Sequence, residues 1–582
     1  MRTDAKHPVS FLIVTRSVRI SVGCALAALV SACGVFGQSE ATVDVQLIAF
    51  GDFHGTLEPP SGGGGRIGEI DAGGIEFLAT HVARLRAENP NSIVVSAGDN
   101  IGATPFPSSP FHDEPAVEAL NLLGLQLSAI GNHELDEGWP ELYRVQKGGC
   151  HPVDGCQDGT PYAGASFTYL AANVTLDPTQ ADPTMVALAG IAGRDPRRLV
   201  PGTAVREVGG VRVGFIGLLT EDTPEVTVPT GVRGLVFEPL AERANEAART
   251  LRAQGIGAIV VVMHEGGLQR GTDINGCEEM SRDLLDLVNA MSDDIDVVVT
   301  GHSHQAYNCT IDGRVVTGSA SFGRVVTDID LRVRRSDGEV VARTARNIIV
   351  TRDVAPDPAQ TALVARYRTL AEPVAKRVVG TIAGSLTRAE NASGESVLGD
   401  IIADASLEAT RRMPGGEADF AFWNPGGIRA DLSVPPGGAP APVTYEQLAA
   451  VMPFGNELIV KTLTGDAIAQ LLEQQFGPER TRIMQVSEGF GYAYDPSRPR
   501  GQRVDRASIR IKGAPLDPAR RYRVATNNFL WGGGEGLSAL LTGVDPVQIG
   551  VDIDIVVGYL SRHSPVGPVI HDRIRLVGKR PS

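Results

Sequence analysis

The sequence predicts an α/β protein whose chemistry sits at the exits of parallel strands. Three observations carry this expectation. From Val43 to about Val350, apolar β-branched runs alternate with helix-like segments, the rhythm of βαβ units. Five short patterns each follow one of those runs: DFHG at 52–55, GDN at 98–100, GNHELD at 131–136, His264 in VVVMHEGG, and GHSH at 301–304. That placement gathers carboxylates, an amide and imidazoles at one end of a sheet, where α/β folds build their sites.

The elements follow in chain order. The N-terminus carries Arg2, Lys6, Arg16 and Arg19, an apolar run from Ile20 to Val30, and then Val30-Ser31-Ala32-Cys33. Residues 1–33 read as a secretion signal ending in a bacterial lipobox, with Cys33 lipidated as the mature N-terminus; a plain cleaved signal is the alternative. The apolar run is shorter than the ~20 residues of a membrane span. QLIAF, SIVVSAG, LSAIG, VGFIGLL, AIVVVMH and DVVVTG are strands, with helices near 74–88, 113–123, 237–254 and 278–291. RVVTGSASFGRVVTDIDLRV reads as a pair of strands added late in a first domain, 41–350. Pro356 and Pro358 introduce an interdomain helix at 351–375, which Pro373 ends or kinks. A second domain, 376–582, mixes helices such as LGDIIADASLEATR and GDAIAQLLEQQ with strands such as RVATN, an α+β composition.

Composition bounds the function. At 582 residues the chain exceeds a single core, and 42% apolar with 21% charged residues excludes whole-chain disorder. The balance of 53 basic against 68 acidic residues, net −15, offers no Lys/Arg run that could follow polymeric nucleic acid. A small anionic substrate remains compatible, because bound divalent cations reverse the local field. With Cys24 removed and Cys33 lipidated, Cys150, Cys156, Cys277 and Cys309 form an even set suited to an oxidising compartment. Four cysteines allow three connectivities. The turn-rich CHPVDGC favours Cys150 with Cys156, leaving Cys277 with Cys309, and zinc binding is the rival use.

Asp52 and His54 stand two apart at a strand exit, so both side chains can turn toward one ion, and His302 and His304 stand two apart at another. Asp99 can bridge two ions through its two oxygens, and Asn132 offers a neutral amide oxygen. A lone His264 after a strand is most often structural, and each pattern alone has a bland reading. All five in this order outweigh coincidence.

Together the five patterns resemble those of calcineurin-like metallophosphoesterases, and the mature chain resembles the 5′-nucleotidase and UDP-sugar hydrolase family. The resemblance implies a four-layer αββα first domain and a 5′-nucleotidase-type second domain. It implies one metal held by Asp52, His54 and His304, another by Asn132, His264 and His302, and Asp99 bridging them. The donors are nitrogen and oxygen without thiolate, so two divalent ions of Zn, Mn, Fe or Co all fit. Such an ion pair acidifies a shared water for in-line attack on phosphorus. The resemblance gives His133, oriented by Asp136, the task of supporting the phosphate or protonating the leaving oxygen; a helix cap is the simpler role for Asp136.

In the second domain, NPGGIRADL puts Arg429 after a glycine turn, where its fork of donors suits phosphate oxygens. PFGNELI and NNFLWGGGEG place Phe454 and Phe529 beside glycines, two faces able to sandwich a base. The resemblance assigns Asn424 to the base, Arg429 to phosphate, Phe454 and Phe529 to stacking, and Glu535 to ribose. Three positions depart from the family pattern: Pro425 replaces Gly, Glu535 replaces Asp, and Gly394 stands where an Arg is expected, with Arg388 the nearest substitute in sequence.

The expected activity is hydrolysis of nucleoside 5′-monophosphates by an exported, lipid-anchored enzyme of the periplasm or cell surface. UDP-sugar hydrolysis, 2′,3′-cyclic-nucleotide hydrolysis and non-catalytic nucleotide binding by a surface lipoprotein are the alternatives.

Overall fold

The computed structural model describes residues 41–60, 62–177, 179, 198–227, 231–477, 481–569 and 572–578. The secretion signal and Cys33 lie outside these residues. Among the described residues no helix is long and apolar enough to cross a membrane.

Two six-stranded sheets form the N-terminal part. The first runs in the order 340–349, 325–334, 42–50, 92–96, 127–129, 168–170; the second runs 306–311, 314–319, 297–300, 258–264, 211–219, 203–208. Strand periodicity shows how they pack. Val45, Leu47 and Ala49 face Phe215, Val260 and Val262 of the other sheet, whereas Ile48 and Phe50 point outward to helices Ile75–Glu88 and Glu114–Leu123. In strand Ala258–His264, Val260 and Val262 likewise face inward, while Ile259, Val261 and Met263 meet helix Leu240–Ala253. A strand buried on both faces must be apolar at every position, which is why the runs looked continuous. The result is the expected four-layer αββα sandwich.

One strand expectation is corrected. Strands Arg314–Ser319 and Val325–Arg334 do not pair with each other. The former joins the second sheet and the latter the first, with the chain crossing between layers through Ala320 and Phe322 at positive φ of 56° and 62°. The interdomain helix runs from Pro358 to Ala375, with Pro373 in its last turn. A proline in the last turn removes only one backbone bond, and the helix is anchored before it. Asp357 caps it by accepting from Ala359 and Gln360, Gln360 Nε2 donates to Ala119 O at 2.9 Å, and Tyr367 is buried edge-on to Phe111 at 5.1 Å.

Beyond this helix, a five-stranded sheet orders 485–486, 420–423, 521–527, 457–464 and 544–551. Helix Val397–Thr410 packs on it, capped by Ser396. Phe106 and Phe111 share a core with Tyr367, Ile402 and Leu448, so the N-terminal sandwich and the C-terminal part are held together by apolar packing.

The favoured disulfides, Cys150–Cys156 and Cys277–Cys309, are both present. The small Cys150–Cys156 loop is clamped by His112, whose nitrogens lie 2.8 Å from Glu137 and 2.9 Å from Asp154, with the His151 ring stacked on it at 3.7 Å. Burial disfavours the His112 cation, but Glu137, Asp154 and nearby Glu141 outweigh it and raise the pKa to about 9. A raised histidine stabilises the fold fully below its unfolded pKa of about 6.5, and that stability is lost as pH rises through about 9. His112→Gln is therefore expected to lower stability, and with it Tm, at pH 6, by up to about 1 kcal/mol after solvent screening, and to leave it unchanged at pH 10. Thermal scans at the two pH values check this.

Candidate metal centre and substrate face

The five strand-exit patterns converge, and their backbone is unusual. Asp52, His54, Asp99, His302 and His304 have φ of 51°, 49°, 49°, 66° and 56°. The left-handed region costs an L-residue roughly 1–2 kcal/mol, and strain of this kind concentrates at functional sites. Interlocking hydrogen bonds hold it. Asp52 N–H donates to Gly98 O and His54 N–H to Asp99 O, each at 2.9 Å, and the Asp52 carboxylate accepts from His302 N–H at 2.9 Å. Gly131 is required: a Cβ there would lie 2.0 Å from Asp99 Oδ1.

Among the described residues, three overlapping groups at this centre could hold a metal ion: Asp52/His54/His304, Asp99/His264/His302 and His54/Asp99/His133. Their hydrogen-bond chemistry tests the fit. The His54 Nδ1 hydrogen is satisfied by Gly102 O at 2.9 Å, so Nε2 presents a lone pair 3.1 Å from His304 Nε2. His264 Nδ1 meets Ala97 O at 2.9 Å, so its Nε2 faces Asn132 Oδ1 at 3.1 Å and Asp99 Oδ2 at 3.0 Å. These ring nitrogens and oxygens converge across short gaps with lone pairs that a bound metal ion could take.

Electrostatics agree. Burial lowers His54 and His302 to about 3 and holds His304 well below the ordinary range, so all three imidazoles are neutral and ready to ligate. Burial also pushes Asp52 up to about 7. His264 departs the other way: burial opposes its cation, but the Asp99 carboxylate prevails and raises it to about 10. Asp99 itself, despite burial, is held well below the carboxylate range by His264.

Glu134, which sequence reading passed over, organises the site from beneath. Its Oε2 accepts from Asp99 N at 2.9 Å and Gly131 N at 2.6 Å, and Oε1 accepts from Asn100 N at 2.7 Å. The only signal was its place inside GNHELD. Glu134→Ala strands three buried N–H groups, each worth about 1–3 kcal/mol when unsatisfied. Metal affinity is expected to fall about 10–100-fold, as when an outer support of a ligand is lost, and calorimetric metal titration reads it.

His133 Nδ1 meets Asp136 Oδ2 at 2.7 Å, so Asp136 orients the imidazole, while Gly138 occupies the cap position of the next helix. Burial disfavours the His133 cation, but Asp136 and Asp99 outweigh it and raise its pKa. His133 also lies in a possible ligand group with His54 and Asp99.

The C-terminal residues come to this centre. The Phe454 ring stacks on His133 at 5.7 Å and 19°, and the Arg429 guanidinium lies 5.6 Å from the Phe454 ring centre. The charge of Arg429 acts on His54, His133 and His304. Asn424 Nδ2 donates to Glu535 Oε1 at 3.3 Å, and Asn527 Nδ2 donates to Asn424 Oδ1 at 3.0 Å. Phe529 lies against Gly534. Arg388 donates its backbone N–H to Asp431 Oδ1 at 2.8 Å, and its charge reaches Arg429.

A four-layer αββα sandwich with two nitrogen and oxygen ligand groups meeting at Asp99 defines a metallophosphoesterase-type hydrolase. A family profile described as 5′-nucleotidase, C-terminal domain, matches residues 378–542. The solved 5′-nucleotidase precursor from Thermus thermophilus superposes with a TM-score of 0.72 at 27% identity, covering 92% of this chain and 99% of that one. Residues 378–542 thus match the 5′-nucleotidase C-terminal domain family, and the chain as a whole is similar to 5′-nucleotidases. It is 29% identical over 542 residues to Endonuclease YhcR of Bacillus subtilis, covering 92% of this chain but only 41% of the length of that relative. It is also 29% identical to Cell wall protein Lmo0130 of Listeria monocytogenes, covering 96% of this chain and 72% of that protein.

Proposed function

We propose that this protein is an exported, two-metal 5′-nucleotidase that hydrolyses nucleoside 5′-monophosphates to nucleoside and phosphate. One observation carries the reading: Arg429 and Phe454, from the C-terminal part, stand against His133 and the ligand cluster of the N-terminal sandwich. A phosphate at the cluster would thereby have its nucleoside directed at the C-terminal residues.

Asp52, His54 and His304 would hold one ion, Asn132, His264 and His302 the other, with Asp99 between them. When bound, the two ions, of Zn, Mn, Fe or Co, supply Lewis acidity and an activated water. Arg429 binds the phosphoryl oxygens and disperses their charge. An oxygen–phosphorus bond forms to water as the bond from phosphorus to O5′ breaks. His133, its Nδ1 fixed by Asp136, gives the proton to O5′ from Nε2. Asn424 contacts the base, Phe454 and Phe529 stack it, and Glu535 takes the ribose hydroxyls. Arg388 adds positive charge behind Arg429. The metal centre falls to residues 41–350 and the substrate site to 376–582, with 351–375 between.

Similarity to a protein named for the cell wall, together with the N-terminal signal, supports export. Lipid on Cys33 would anchor the protein to a membrane at the periplasm or cell surface. A panel of AMP, UDP-glucose and 2′,3′-cyclic AMP tests the substrate: kcat/KM is expected to be highest for AMP. A higher value for either other substrate would transfer the assignment to it.

A further inference from the structure

Position 394, where the family resemblance leads one to expect an arginine, is a glycine with a close neighbour. Gly394 has φ of +91°, and a Cβ there would lie 2.7 Å from Ile483 Cβ and 2.8 Å from Ile483 Cγ1. No side chain fits at 394 while Ile483 occupies that space. The segment carrying Ile483 is fastened there by Gln485, which accepts from Ser396 N at 2.8 Å through Oε1 and donates to Gly394 O at 2.8 Å through Nε2. The residue before Ile483 is Arg482.

Three points locate the Arg482 guanidinium. Its backbone N–H is tied to Gln475 O at 2.9 Å, its Nη1 lies 2.6 Å from Glu535 Oε2, and its charge acts on His302. Glu535 in turn touches Asn424 through Oε1. The guanidinium therefore contacts the side chain assigned to the ribose, and its charge reaches the ligand cluster. Its contact with Glu535 is a charge contact without hydrogen-bond alignment, since Oε2 has no hydrogen-bond partner among the described residues. The Arg482 side chain is 35% exposed against 9% for Glu535. A half-open guanidinium of this kind, anchored by one carboxylate, is suited to an incoming anion.

We propose that Arg482 is a substrate-binding residue that supplies, from a different segment of the chain, the phosphate-directed guanidinium that position 394 cannot carry. The proposal rests on the nucleotidase reading for its substrate, and the loop displaces the missing residue sterically as it replaces it chemically. Glu535 then has two tasks, holding Arg482 in place and facing the ribose.

The test compares Arg482→Ala and Arg482→Lys with wild type, measuring KM for AMP and the inhibition constant of adenosine, which lacks the phosphate. Arg482→Ala is expected to raise KM for AMP about 10- to 100-fold, the effect of losing a charge-assisted hydrogen bond. Adenosine inhibition should change less than about twofold, and Lys should recover part of the loss. An unchanged KM overturns the proposal. So does a parallel weakening of adenosine, which would make Arg482 only a support for Glu535. Wild-type turnover of AMP tests the nucleotidase reading separately. If AMP is not turned over, the same comparison is made on p-nitrophenyl phosphate, and an unchanged KM there overturns the role of Arg482.

Discussion

Phosphate release by the Asp99→Asn protein is expected to fall to the level of chelator-treated enzyme. Asp99 reaches a histidine of each ligand group: Oδ2 lies 3.7 Å from His54 Nε2 and 3.0 Å from His264 Nε2. Asn keeps the shape and the acceptor that Oδ1 presents to His133 N–H at 2.9 Å. The substitution therefore removes charge with little change in packing. Losing an outer support of a metal ligand costs about 10–100-fold in affinity, and loss of the bridging ligand itself should exceed that. Metal content by atomic emission should drop together with turnover. Full metal content with normal turnover would show that Asp99 does not bridge.

The second large effect is expected at His133. His133→Asn should lower kcat on AMP about 10²–10⁴-fold, the contribution of a positioned acid, while metal content stays near wild type. That separation distinguishes its two candidate roles. His133 shares a possible ligand group with His54 and Asp99, so metal loss in His133→Asn would make it a ligand instead of an acid. Asp136→Asn, which removes the orienting contact at 2.7 Å, should give a smaller fall of the same kind.

The strand-exit residues were legible because their chemistry is written locally. An apolar run buried on both faces ends where polar side chains begin, and that boundary marks the sheet edge without any tertiary information. The left-handed conformations of Asp52, His54, Asp99, His302 and His304 were not legible. They are imposed by hydrogen bonds between loops up to about 250 residues apart, such as His302 N–H to Asp52 Oδ1. Glu134 escaped notice for a similar reason: an acidic residue beside Asn132 and His133 looks like surface until its three backbone donors are seen. The strands on either side of 320–324 join different sheets instead of pairing; period-2 patterning states that strands exist but not which sheet each joins. Arg482 could not be found from sequence at all. The gap at Gly394 is visible there, but its filling by a segment about 90 residues away appears only in three dimensions.

The most direct measurement is phosphate release from AMP by metal-stripped protein as Mn²⁺ or Zn²⁺ is added back. The account predicts no release without metal and activity that saturates near about two equivalents per chain. Undiminished release from the stripped protein would contradict it. So would a metal-loaded protein that leaves AMP intact while hydrolysing a simple aryl phosphate.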